Sequence, residues 1–378
     1  MTGKEKIEAA FSRSGTPEIP AVICYEGIFV RDHWEQITSY PWWYRFSPDI
    51  EHQVQWRKDM IKKVDMDWFV LPYFYSRTQR KYLRIETDNE DVYMVNDRSN
   101  LSQKITKPQV SGWSGGNLHS VNPDHQVTSQ DEIDILVSIN PDYDAEEALS
   151  DGKDYLARIL LQEFDLFPIC HVGSPLWNTY SIWGFEGMMT MIAQKPELVE
   201  YACQRLMIKS IQNVQGAAAL GAKGIWIEEC FTDMISPEAF DRLCVPFIQG
   251  IVEECCSLGL KSIYYFCGNP AGKWSGLLSA GADALSLEES KKGFIIDIED
   301  VVKRTQGKCA VLGNLDAIKL LLFADKEKLG REISRQIKAG RQNNNRFIMS
   351  LGSPVTPGTS INRVRLYCEL THQLGLIS

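Results

Sequence analysis

The chain has 378 residues, 44% of them hydrophobic and 24% charged, with 40 Lys and Arg against 49 Asp and Glu for a formal charge of -9. This composition excludes a small disulfide scaffold and belongs to a globular protein that buries about three quarters of its unfolded surface. Without a basic run to track phosphates, nucleic acid is excluded as an expected ligand. The ten cysteines contain no CxxC pair and no regular spacing, which points to a reducing compartment. No apolar h-region opens the chain, and no segment reaches the ~18 apolar residues of a membrane span. The expectation is a cytoplasmic protein.

Eight short β-rich apolar runs follow one another along the chain. They occupy residues 19–25 (IPAVICY), 68–71 (WFVL), 166–172 (LFPICHV), 224–229 (GIWIEE), 261–267 (KSIYYFC), 284–289 (ALSLEE), 309–314 (CAVLGN) and 347–352 (FIMSLG). Helical patterns separate most of them, and this alternation is the signature of βα units with a parallel sheet. Eight such units predict a (β/α)8 TIM barrel, α/β in class, as a single domain over residues 1–378. Ser236-Pro237-Glu238 marks a helix start with Pro at its first position, predicting one helix through residue 259. Lys195-Pro196-Glu197 opens another that ends at Gly221, and a third closes at Gly340. Residues 77–130 alternate as strands around turn residues, which predicts an antiparallel hairpin insertion after the second strand. Near the N-terminus, Trp34, Trp42, Trp43 and Trp56 crowd with Tyr40, Tyr44 and Phe46.

Most of the runs end in polar residues, and that end carries the active site in a (β/α)8 barrel because the βα loops converge there. The candidate acids are Glu228 and Glu229, Tyr265, and Glu288 and Glu289. Neighbouring strand residues face opposite ways, so only one Glu of each pair can point into the barrel mouth. His171 stands at the end of the third run, Tyr25 closes the first, and Arg31 follows it. The remaining histidines, 33, 52, 119, 125 and 372, have no ligand spacing.

The segments GIWIEECFTDMISPEAFDRLCVPFIQGIV, YYFCGNP, GADALSLEE, VLGNLDAIKLLL and MSLGSPVTPGTSINRV, in this order, resemble the uroporphyrinogen decarboxylase superfamily, which includes the corrinoid-dependent methyltransferases. The resemblance covers roughly residues 165–378. Decarboxylation of a porphyrinogen with eight carboxylates requires an arginine cluster near the first strand. Here PAVICYEGIFVRDHW supplies Arg31 alone, beside Glu26, Asp32 and Glu35. The thiol methyltransferases of the superfamily hold zinc with a His-x-Cys pair and a distant Cys, positions that read Tyr265, Cys267 and Ser353 in this chain. A mixed zinc site built from Cys267 with Glu228 and His171 stays open.

The resemblance therefore implies the substrate-side branch, in which a methyl group passes from a methyl donor to cob(I)alamin, the reduced cobalamin, on a partner corrinoid protein. A small aromatic methyl ether suits this chain, because its phenolate leaving group, with a conjugate acid of pKa about 10, needs only one general acid. The N-terminal aromatic cluster is the expected platform for such a substrate. Glu228, Glu229 and Tyr265 are the expected catalytic residues, and Tyr25, Arg31, His171, Trp183 and Asn314 the expected substrate contacts. The alternatives are transfer from methylcobamide to a thiol or tetrahydrofolate, a uroporphyrinogen decarboxylase-like reaction, or a small-molecule binding barrel. Assembly into a homo-oligomer is left open by the sequence.

Overall fold

The computed structural model describes residues 1–112, 126–291 and 293–376. Among the described residues ten strands form two sheets: β1 (Trp68–Val70), β2 (Leu83–Asp88), β3 (Asp91–Asn96), β4 (Leu101–Ile105), β5 (Phe167–Gly173), β6 (Gly224–Glu229), β7 (Lys261–Phe266), β8 (Ala284–Leu287), β9 (Ala310–Leu312) and β10 (Phe347–Ile348). Seven of them make one parallel sheet in the order β1-β5-β6-β7-β8-β9-β10. Sequential neighbours in a parallel sheet need crossovers, and helices such as Pro196–Leu220, Val245–Ser257 and Lys326–Arg341 supply them. The architecture is thus α/β, as expected.

The first predicted strand differs. Residues 20–22 lie between the two edges of the sheet, bridging Met349 beside β10 on one side. On the other side the Ala21 carbonyl accepts from the Asp67 amide just before β1. No regular ladder forms there because Pro20 has no N–H to donate and Tyr25 turns into the left-handed region at φ 57°.

The predicted insertion is present as the antiparallel sheet β2-β3-β4, with Leu83 opposite Asn96 and Val92 opposite Ile105. Asn89 and Asn100 take φ near 54° and 52° at its two turns, a conformation Asn tolerates. Residues 113–125 of the same region, with His119 and His125, lie outside the described residues. The helix predicted from Ser236 is two helices, Pro237–Leu243 and Val245–Ser257, broken at Cys244. Pro246 explains the break, since its ring crowds the carbonyl four residues back and it lacks a donor. No helix among the described residues is long and apolar enough to cross a membrane.

Candidate active site

A layer of aromatic rings crosses the concave face of the parallel sheet. Trp226 on β6 stacks on Tyr265 of β7 at 4.9 Å between centroids and on His171 of β5 at 5.9 Å, and meets Trp68 of β1 edge-on at 5.7 Å. Tyr25 closes over them, edge-on to Tyr265 at 5.6 Å and to Trp226 at 6.3 Å. The left-handed turn at Tyr25 is what brings its ring from the chain's first crossing to this layer. Above the layer, at the C-terminal ends of the strands, opens a cavity of about 640 Å³. Tyr25, Tyr265, Phe185 and Phe231 provide its aromatic wall, and Asp233, Glu288, Lys291 and Cys267 its polar groups.

The two neighbouring glutamates of β6 have separate surroundings. Glu228 shares the face of Trp226, where its Oε1 accepts from the Tyr25 hydroxyl at 3.0 Å and from the Cys230 thiol at 3.4 Å. Burial raises its pKa above the usual carboxylate range. Glu229 points the other way, into the layer between sheet and helices. There it accepts from Ser174 Oγ at 2.7 Å and Tyr264 Oη at 3.2 Å, and burial pushes it up to about 8. Alternation along a strand thus places Glu228 on the concave face behind Tyr25, which lines the cavity, and Glu229 in the layer behind the sheet; neither carboxyl is itself in the cavity wall.

At the end of β8, Glu288 lines the cavity and pairs through Oε1 with Lys291, while its Oε2 is buried without a partner. Glu289 accepts from Ser353 Oγ at 2.8 Å, and burial raises its pKa. Lys291 donates to the same Ser353 hydroxyl at 2.6 Å. Burial pulls Lys291 down, but Glu289 and Glu288 outweigh it and leave the amine more basic than usual. Tyr265 donates to the Gly352 carbonyl at 3.0 Å, and its phenol is pushed well above its usual value by burial first and by the nearby Cys267.

Not every expected contact is in the cavity wall. Trp183 is core, its indole N–H given to the Val127 carbonyl at 2.9 Å. Asn314 holds the loop after β8 by donating to the carbonyls of Glu288 and Ile296. Arg31 is paired with Asp32 and donates to the Gly112 carbonyl, so it braces the cavity rim at Ser111 and Gly112 instead of facing substrate. His171 lies in the aromatic layer below the cavity. Burial pushes it down to about 4, but the residue as a whole remains open to solvent, which weakens that shift. The ring is mostly neutral at pH 7 with or without that opening.

The N-terminal aromatic cluster also lies elsewhere: Trp34 packs on Trp56 at 5.4 Å and donates to the Tyr40 carbonyl, and none of its rings lines the cavity. Phe185, Phe231, Asp233 and Lys291 were not singled out by the sequence. Phe231 alone had a positional signal, directly after the polar end of β6.

Cys267 lines the cavity and interacts with Cys230, whose thiol is raised by that contact and by burial. Among the described residues no three His, Cys, Asp or Glu side chains are arranged to hold a metal ion. Cys267, Glu228 and His171 therefore do not fit a zinc site.

The sequence profile of uroporphyrinogen decarboxylase (URO-D) matches residues 126–374. The chain belongs to the uroporphyrinogen decarboxylase family. Among relatives of this family member, the uroporphyrinogen decarboxylase of Desulfotalea psychrophila is 26% identical over 224 residues, covering 58% of this chain and 63% of that one. That of Myxococcus xanthus is 26% identical over 187 residues, covering 49% and 51%. The chain thus spans between half and two thirds of the length of these two relatives. In fold, it is similar to a methyltransferase from Methanosarcina mazei, with a TM-score of 0.63, 14% identity and 99% of each chain covered.

The described lining of the cavity is poor in cations. Among the described residues that line the cavity, Lys291 is the one cation, and Glu288 already holds it. Arg31, the arginine near the first strand, is neutralised by Asp32. A substrate bearing eight carboxylates would meet Asp233 and Glu288 with little to compensate the repulsion.

Proposed function

We propose that this family member takes a methyl group from a small aromatic methyl ether and passes it to cob(I)alamin carried by a partner corrinoid protein. The reading takes the fold as a closed (β/α)8 barrel, with residues 19–25 in the position of the missing strand. The observation that carries it is a protonatable acid beside an aromatic-walled cavity: Glu228, raised by burial and hydrogen-bonded to Tyr25, whose ring lines that cavity. A volume of about 640 Å³ lies within the range of small-molecule sites.

Breaking an aryl methyl ether bond leaves a phenolate, which must be protonated. Tyr265 is a poor donor, because its pKa is pushed above that of the phenol it would serve, making the transfer uphill. A carboxyl starts far below a phenol of pKa about 10, and burial moves Glu228 up toward it. Its proton has a short route once the Tyr25–Glu228 hydrogen bond reverses: the carboxyl gives its proton to the Tyr25 oxygen as the Tyr25 hydroxyl gives its own to the leaving oxygen, so that Tyr25, whose phenol burial also raises, never stands as a free phenolate. Tyr265, fixed by Gly352 and stacked on Trp226, presents a wall for the substrate ring. Cob(I)alamin, when its carrier is docked at the cavity mouth, supplies the nucleophile that receives the methyl group. No step is assigned to zinc.

The test is methyl transfer from a panel of methoxyarenes, with purified chain and reduced corrinoid protein, followed by the absorbance of cob(I)alamin. Glu228→Gln and Tyr25→Phe are expected to lower kcat by ~10²–10⁴-fold with little change in KM, and Cys267→Ser to change little. Wild-type rates in both acid-route variants would refute the mechanism. Asp233 and Glu288 beside the aromatic wall favour a second reading, a methylated ammonium donor. Its amine leaving group needs no proton, so that donor would be turned over by Glu228→Gln at the wild-type rate.

A further inference from the structure

A second cavity, of about 380 Å³, shares no lining residue with the first. Arg45 comes to it from the 3₁₀ turn Trp42–Phe46, Gln53 and Arg57 from the helix Ile50–Val64, and residues 73–75 from the segment after β1. Gln79 completes the polar part of the wall, and no carboxylate lines it. Neither arginine has an ion-pair partner among the described residues. Arg57 Nη1 donates to the Gln53 carbonyl at 3.0 Å and to Gln53 Oε1 at 2.7 Å, and the guanidinium lies 4.1 Å from the Trp56 ring centroid. Arg45 Nη2 donates only to the Gly27 carbonyl, at 3.3 Å.

Two carboxylates act on these arginines without an ion-pair contact: Asp32, already paired with Arg31, on Arg45, and Glu26 on both. Glu26 is poorly placed to neutralise them. Its Oε2 accepts from the Val70 amide at 3.0 Å, and burial pushes it up to about 7, so it is about half protonated near neutrality. Arg57 remains cationic there, although burial pulls it down to about 9. A third guanidinium, Arg80, stands 5.8 Å from the ring centroid of Phe74 in the cavity wall, and its Nε is buried without an acceptor. Half-buried cations met only by neutral acceptors are unfavourable unless an anion completes them. Guanidinium forks match the paired oxygens of a carboxylate or phosphate.

We propose that this pocket binds a small oxyanion, a carboxylate or phosphate on a flat apolar body, gripped by Arg45 and Arg57 against the aromatic residues 73–75. This site is independent of the methyl-transfer reading. Its test is calorimetric titration of the full chain with acetate, benzoate and inorganic phosphate. Saturable binding of at least one probe is expected, weakened about tenfold or more in Arg45→Gln and in Arg57→Gln. Benzoate binding above acetate identifies a carboxylate on a ring, and phosphate binding above both identifies a phosphate ester. Glu228→Gln should bind as wild type does. Thermal melts check that each variant is folded, and if Arg57→Gln is not, Arg45→Gln decides. The proposal is overturned if no probe saturates by about 10 mM, or if Arg45→Gln binds as tightly as wild type.

Discussion

Glu229→Gln should stabilise the protein in alkaline solution and leave turnover intact. Glu229 is fully buried, and that burial pushes its pKa from 4.5 to about 8. A carboxyl whose folded pKa is raised contributes fully below the unfolded value, and its contribution is lost as pH rises through the folded one. The gap between the two values, at about 1.4 kcal/mol per unit, sets an upper limit on the order of 5 kcal/mol lost by pH 9. Glutamine mimics the neutral acid. Ser174 and Tyr264 can serve it as they serve Glu229, because a hydroxyl either donates or accepts. Variant and wild type should therefore melt nearly together at pH 5, draw apart between about pH 5 and pH 8, and keep a constant gap above that. A chain of this size gives roughly 1 °C per kcal/mol, so the variant should lead by ~3–5 °C at pH 9. Thermal melts across pH 5–9 measure this. Parallel curves for the two proteins would refute a neutral Glu229, and loss of methyl transfer would show that this acid serves the cavity after all.

Three further outcomes follow from other parts of the molecule. His372 donates to or accepts from Asp67 at 2.7 Å; burial pulls it down, but Asp65 and Asp67 outweigh that and raise it to about 9. Its stabilisation is complete below 6.5 and lost as pH rises through about 9, so His372→Gln should lower the melting temperature at pH 6 and converge with wild type by about pH 10. In the helix Lys326–Arg341, a Cβ at Gly340 would stand 2.2 Å from Phe347 Cγ, whereas one at Gly330 meets nothing within 4 Å. Gly340→Ala should lose about 1–3 kcal/mol in thermal or urea unfolding and Gly330→Ala gain up to about 1 kcal/mol. Incubation with uroporphyrinogen should yield no coproporphyrinogen, as judged by chromatography of the oxidised porphyrins.

Much of this architecture is legible in the chain because each element announces itself locally. Apolar runs such as GIWIEE and KSIYYFC are short, β-rich and bounded, and they become β6 and β7 with little shift of boundary. Pro196 and Gly221 mark the two ends of one long helix. Run 19–25 reads equally well as a strand, but strand formation is a matter of ladder donors as well as side chains, and Pro20 and the turn at Tyr25 interrupt the ladder. The aromatic cluster of residues 34–56 misleads for a related reason. Composition locates rings along the chain, whereas the layer they enter depends on how helices 26–37 and 50–64 pack, which is settled by long-range contacts.

The pair Glu228 and Glu229 shows where local reasoning stops and what must be added to it. Alternation requires that they face opposite ways, but it does not say which side of the sheet curves around a cavity. The partners decide that. Trp226, two residues earlier, is surrounded by Trp68, His171 and Tyr265 from three other strands, so its face, shared by Glu228, is the concave one. Glu229 is fully buried and Glu228 half-buried, both are raised, and a pKa alone would rank Glu229 as the better functional candidate. A neutral acid is useful to a reaction only where its proton can leave along a hydrogen bond toward substrate. Ser174 and Tyr264 lead the proton of Glu229 back into the fold, whereas Tyr25 carries that of Glu228 to the cavity wall.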